Sequence, residues 1–172
     1  IPLKDLFGNP VKASPFISHD GKRLSYLAPV DGVLNIWVGS VHGEDAKPIT
    51  FDTGRGIRSY LWTYDNDQIL YFQDKDGDEN WHIYSVSVST NAVRDLTPHP
   101  NIQAKLVGLD ERYPNILLAG MNLEDARLHD VYRIDLTTGE TTLEVKNPGD
   151  VIGWIDNPDF QITGAWAALP DG

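Results

Sequence analysis

Ser18-His19-Asp20-Gly21-Lys22-Arg23-Leu24-Ser25-Tyr26 sets an aspartate in a tight turn just before an apolar, strand-forming run. The same aspartate returns at Asp65, Asp110 and Asp156, at spacings of 45, 45 and 46 residues. Other positions repeat in phase. Leu24-Ser25-Tyr26-Leu27 is echoed by Ile69-Leu70-Tyr71-Phe72 and by Ile116-Leu117-Leu118-Ala119. Asn35-Ile36-Trp37-Val38 is echoed by His82-Ile83-Tyr84-Ser85 and Asp130-Val131-Tyr132-Arg133, and Lys47-Pro48-Ile49-Thr50 by Arg94-Asp95-Leu96-Thr97. These runs are rich in Ile, Val, Tyr, Trp and Thr, which suit a pleated, half-buried surface. Asp20-Gly21, Asp31-Gly32, Asp76-Gly77 and Thr138-Gly139 supply turns between them. An ordinary β-sandwich gives no reason for several markers to recur in phase. A period in the 40s with strands throughout each repeat predicts an all-β chain of four-stranded antiparallel blades, a β-propeller.

The repeat divides the chain into a lead-in over 1–12 and a partial propeller over 13–172. Its blades span about 13–53, 54–99 and 100–147, with an incomplete one over 148–172, about three and a half in all. In the lead-in, Leu3, Leu6 and Phe7 form a short apolar face suited to a helical turn docked on the first blade. The outer strand of blade one is expected near Pro48–Phe51, and the inner strand of blade two near Arg58–Thr63. Closed propellers need at least four blades, so the chain reads as part of a longer protein, and in isolation it is expected to self-associate through unpaired edges.

Composition narrows the partners. The 172 residues are 41% apolar, enough for a sizeable core, and carry a formal net charge of −11. That charge argues against nucleic acid, whose phosphates need Lys and Arg. There is no run of about 18 apolar residues of the kind that spans a membrane. The absence of cysteine fits a reducing cytoplasm, with the periplasm as the alternative compartment.

Several stretches together carry a family resemblance. Ser18 to Tyr26 resembles the Ser-Pro-Asp-Gly hairpin of TolB-type propeller repeats, with His19 in place of the proline. More specific is Arg55-Gly56-Ile57-Arg58-Ser59-Tyr60-Leu61-Trp62, continuing through Ile69-Leu70-Tyr71 into Asp74-Lys75-Asp76-Gly77-Asp78-Glu79-Asn80-Trp81-His82-Ile83-Tyr84. It resembles the N-terminal propeller of serine peptidases in the prolyl oligopeptidase superfamily, in its acylaminoacyl-peptidase and dipeptidyl-aminopeptidase-like branch. Leu6-Phe7-Gly8-Asn9-Pro10 and Arg127-Leu128-His129-Asp130-Val131-Tyr132 fit the same pattern. The resemblance implies a Ser–His–Asp triad on a C-terminal α/β-hydrolase domain, a peptide substrate, and a propeller that restricts access to that site. The nucleophile elbow of such a domain is Gly-x-Ser-x-Gly. Gly39-Ser40-Val41-His42-Gly43 has its serine one place too early, so no catalytic residue is assigned to this chain. The rival reading is a TolB- or WD40-like propeller that binds protein partners and catalyses nothing.

Two residues are singled out as substrate-binding candidates. Arg58, beside the inner strand of blade two, has the planar fork that grips a carboxylate. Trp62 sits near the end of that strand, as Trp154 does in the fourth repeat. Structural alternatives are an ion pair with an acidic turn for Arg58 and a core position for Trp62. No cofactor and no metal is expected. Asp74 to Glu79 looks like a calcium loop, but the sixth and twelfth places, which need Gly and Glu, hold Glu79 and Ser85. His19, His42, His82, His99 and His129 show no metal-ligand spacing and read as structural or solvated.

Overall fold

The computed structural model describes residues 2–3, 7–42 and 44–169. It contains fourteen strands in order. The first sheet is β1 (Ala13–Ile17), β2 (Arg23–Val30), β3 (Val33–Ser40) and β4 (Lys47–Pro48). The second is β5 (Tyr60–Trp62), β6 (Gln68–Gln73), β7 (His82–Ser87) and β8 (Val93–Asp95). The third is β9 (Ala104–Gly108), β10 (Ile116–Met121), β11 (Asp130–Asp135) and β12 (Thr141–Val145). A two-stranded sheet of β13 (Val151–Asp156) and β14 (Ile162–Ala167) follows. In each sheet neighbouring strands are consecutive in sequence, the meander of a propeller blade. The chain forms two compact units, Ile1–Phe72 with Ser85–Arg94, and Gln73–Tyr84 with Asp95–Gly172.

Turn chemistry sets the strand boundaries. Asp31 and Gly32 both take positive φ, 50° and 87°, and join Val30 to Val33 in a two-residue type I′ hairpin. At the first marker, Asp20 Oδ1 accepts the Ser18 hydroxyl at 2.6 Å and the Lys22 amide at 3.2 Å. At the second, Asp65 Oδ1 accepts the Thr63 hydroxyl at 2.5 Å and the amides of Asp67 and Gln68 at 2.9 and 3.0 Å. Asp110 accepts the Arg112 amide at 2.8 Å. In the fourth repeat Asn157, one residue past the expected Asp156, closes the turn, accepting the amides of Asp159 and Gln161 at 3.0 Å each. An amide oxygen serves there as well as a carboxylate, so the marker slips by one place.

The outer strand of the first sheet is shorter than expected, pairing only over Lys47–Pro48. Pro48 has no N–H to give. Beyond it Ile49 still donates its amide to the Ile36 carbonyl at 2.9 Å, but the return bond goes to a side chain. Ile36 donates its amide to Thr50 Oγ1 at 2.9 Å, and Thr50 donates to Asn35 Oδ1 at 2.9 Å. Thr97 repeats this device by accepting the Ile83 amide at 3.0 Å. In the lead-in Leu3 and Phe7 are helical, as expected, but they are exposed rather than buried against the first blade, and Leu6 lies outside the described residues. Asn9 instead donates to the Gly32 carbonyl at 2.9 Å, and the Lys12 ammonium sits 4.4 Å over the Tyr26 ring.

In the first unit Leu27, Ile36, Ile49, Ile57, Tyr60 and Ile69 are buried. Ser25 Oγ is a junction between the first two sheets, accepting the Trp62 indole N–H at 2.9 Å and the Tyr60 hydroxyl at 3.1 Å. In the second unit Leu118, Val131 and Phe160 form a fully buried cluster, with Val107, Val145, Trp154 and Ile162 against it. Arg133 ties the β11–β12 edge to the following repeat. It makes two hydrogen bonds to Glu144 at 3.0 and 3.3 Å and one to the Phe160 carbonyl at 2.8 Å.

Candidate binding site

The two sequence candidates are not brought to one surface. Arg58 precedes β5, outside the ladder, is exposed, and makes no hydrogen bond or ion pair among the described residues. Trp62, on β5, is 5% exposed and spends its indole donor on Ser25. Trp154 makes the corresponding bond in the second unit, donating to the His129 carbonyl at 3.2 Å. Each tryptophan therefore ties its own repeat to the preceding one. In the Asp74–Asn80 turn, Asp74 accepts the Glu79 amide at 3.3 Å and Asp78 Oδ1 accepts the amides of Lys75 and Asn80 at 3.3 and 3.0 Å. Those carboxylates organise their own loop, and the Asn80 bonds hold the Asp78 carboxyl below its usual range.

The two tryptophan positions, Trp62 in the first unit and Trp154 in the second, differ in one respect. Two residues before Trp62, Tyr60 is 4% exposed, its ring edge-on to Phe16 and its hydroxyl donating to the Ser14 carbonyl at 2.6 Å. Two residues before Trp154 stands Ile152, which is 75% exposed. A cavity of about 330 Å³ lies beside Trp154, walled by β9, β10, β13 and the residues leading into β11. Gly153 on β13 and Gly120 in the interior of β10 both line it, and it is Gly120 that leaves room there. A Cβ at Gly120 would meet His129 Cβ at 3.5 Å, Val107 Cγ2 at 3.5 Å and Lys105 Cβ at 3.9 Å. These are ordinary contacts, so the glycine leaves space rather than relieving a clash.

The cavity is basic on one side and apolar on the other. Lys105, Arg127 and His129 line it beside Leu106, Val107, Val151, Ile152 and Trp154, and none of these described lining residues is acidic. This contrasts with a chain holding 25 acidic and 14 basic residues. Arg127 is held by Asp125 through a two-pronged pair of 3.0 and 2.7 Å, which fixes its guanidinium. Lys105 is exposed and has no ion pair among the described residues. His129 Nε2 is buried and has no hydrogen-bond partner among the described residues. Burial and the nearby Lys105 charge push the imidazole below its ordinary value, against a hydrogen bond to the Gln103 backbone. The ring is therefore neutral at pH 7. A neutral imidazole carries one N–H and one lone pair, so Nε2 offers the cavity one or the other.

Comparison with known proteins follows the same repeat. No family model matches the chain. It is 45% identical over 168 residues to dipeptidyl aminopeptidase BIII of Pseudoxanthomonas mexicana, covering 97% of this chain and 24% of that protein. It is 31% identical over 180 residues to dipeptidyl peptidase family member 6 of Caenorhabditis elegans, covering 100% of this chain and 24% of that protein. The chain thus spans about a quarter of the length of these relatives. The solved β-propeller domain of the trilobed protease from Pyrococcus furiosus superposes with a TM-score of 0.60 at 17% identity, over 85% of this chain and 46% of that one. The chain is a β-propeller segment homologous to dipeptidyl peptidases. A prolyl endopeptidase structure shares the fold of the propeller segment with a TM-score of 0.63 at 13% identity, over 84% of this chain and 23% of that one.

Of the residues lining the cavity of the propeller segment, the sequence reading set Trp154 beside Trp62 and passed over the others as binding residues. His129 lacks metal-ligand spacing and Lys105 is one lysine among several. Gly120 carried a signal: a glycine inside an otherwise apolar strand marks a bulge, a bend or a space left for a ligand.

Proposed function

We propose that this chain is the non-catalytic N-terminal propeller portion of a serine peptidase that hydrolyses short peptides. In this reading it gates access to a C-terminal α/β-hydrolase domain lying outside the chain. The observation that carries it is the 45% identity to a dipeptidyl aminopeptidase of which the chain covers 24%. The propeller fold supports it, because a ring of blades sieves by size without supplying a nucleophile. The sequence itself has no Gly-x-Ser-x-Gly elbow. Arg58, exposed and without a partner among the described residues, is the side chain of the first unit that we assign to contact with the substrate peptide.

The test uses the longer protein that contains this segment. A fluorophosphonate probe is expected to label one serine outside the 172 residues, and the protein is expected to cleave short peptide substrates. Excising the segment is expected to admit longer polypeptides to the labelled site. Failure to label any serine would favour a TolB-like scaffold. An unchanged size limit after excision would remove the gating role while leaving the peptidase assignment standing.

A further inference from the structure

We propose that the cavity beside Trp154 binds the free carboxyl terminus of a short peptide whose last side chain is apolar. The choice of a peptide rests on the peptidase reading above; the choice of its carboxyl end comes from the cavity itself. Three features converge. The first is charge: Lys105 and Arg127 line the space and no described acidic residue does, in a chain whose formal charge is −11. A carboxylate entering it meets Lys105, which has no ion pair among the described residues, and an Arg127 whose charge is shared with Asp125.

The second is the unpartnered Nε2 of His129. A buried polar atom without a hydrogen bond costs stability and asks for a partner. The neutral ring can accept or donate there, and the last peptide unit of a substrate carries both an N–H donor and a carboxylate acceptor. The last peptide N–H of a substrate lies next to its carboxylate, so one ligand end can donate to Nε2 and accept from Lys105. An inorganic anion or a bare fatty acid lacks that N–H. The third feature is the apolar wall of Val151, Ile152 and Trp154, which would receive the side chain of the terminal residue.

Space for the ligand exists because Gly120 has no side chain, and a β-branched residue there suits a strand while projecting toward His129 and Val107. Gly120→Val is therefore the blocking variant. Lys105→Met, at an exposed position, is the variant that leaves the fold undisturbed.

The test titrates the 172-residue chain with acetyl-Ala-Ala-Leu as the free acid and as its C-terminal amide. It follows heat of binding and the imidazole nitrogen resonance of His129, assigned through His129→Gln. The free acid is expected to bind at least tenfold more tightly than the amide and to shift the His129 resonance. Lys105→Met is expected to lower affinity about tenfold, and Gly120→Val to abolish binding while retaining the circular dichroism of the parent chain. Equal binding of acid and amide, or no shift at His129 at 10 mM peptide, overturns the proposal. An unchanged affinity in Lys105→Met overturns it as well, whether or not Gly120→Val folds. None of these readouts involves hydrolysis, so their failure is distinct from failure of the peptidase reading, which the fluorophosphonate experiment decides.

Discussion

Ser25 shows how one small side chain can join two repeats. Its hydroxyl accepts the Trp62 indole and the Tyr60 hydroxyl, and donates to the Phe16 carbonyl at 3.2 Å. Tyr60 keeps a second acceptor at Ser14, but Trp62 has no other recorded partner. Ser25→Ala is therefore expected to leave a buried indole N–H unsatisfied and to cost about 1–3 kcal/mol in urea denaturation. Trp62→Phe should lessen that cost, because it removes the stranded donor. Tyr60 offers a second check. Burial drives its phenol up to about 12. The folded value lies above the unfolded one near 10, so this contribution to stability is complete below pH 10 and is lost as pH rises towards 12. Absorbance at 295 nm should show Tyr60 titrating after the exposed tyrosines, with Tyr84 and Tyr132 also displaced upward by burial.

At the level of strands and turns, the aspartate period was legible because three of its four markers, Asp20, Asp65 and Asp110, do the same job. A carboxylate accepts backbone amides two or three residues on and so starts the next strand. The fourth marker tests this account. Asn157→Ala removes the acceptor of two amides and is expected to cost about 1–2 kcal/mol. Asp156→Ala, at the place the spacing singled out, is expected to stay within about 0.5 kcal/mol. Equal costs for the two would mean that the turn does not depend on that amide. Strand existence could be read from alternating Ile, Val, Tyr and Thr, but the end of β4 could not. That end depends on Thr50 meeting Ile36 across a loop of unpredictable path. The cavity was harder still. It is made partly by what β10 lacks at Gly120, and a pattern of side chains says little about the space between strands.

For the molecule as a whole, the last hairpin decides solution behaviour. Ile152, Trp166 and Leu169 are largely exposed around a sheet of only two strands. Such an edge offers both backbone donors and apolar surface to a second chain. The 172-residue chain is expected to self-associate, and light scattering after gel filtration should give a mass above 19.2 kDa that rises with concentration. A monodisperse species of 19.2 kDa at high concentration would show that the edge is tolerated. Deep inside the second unit the situation is opposite. β10 is paired on both edges, to β9 and to β11, and is buried from Leu117 to Met121. Its amides can trade hydrogen for deuterium only when the whole repeat opens, while β14 is paired on one side alone. Deuterium uptake should therefore arrive last at Gly120, and the floor of the cavity would be the part of the unit that keeps its shape longest.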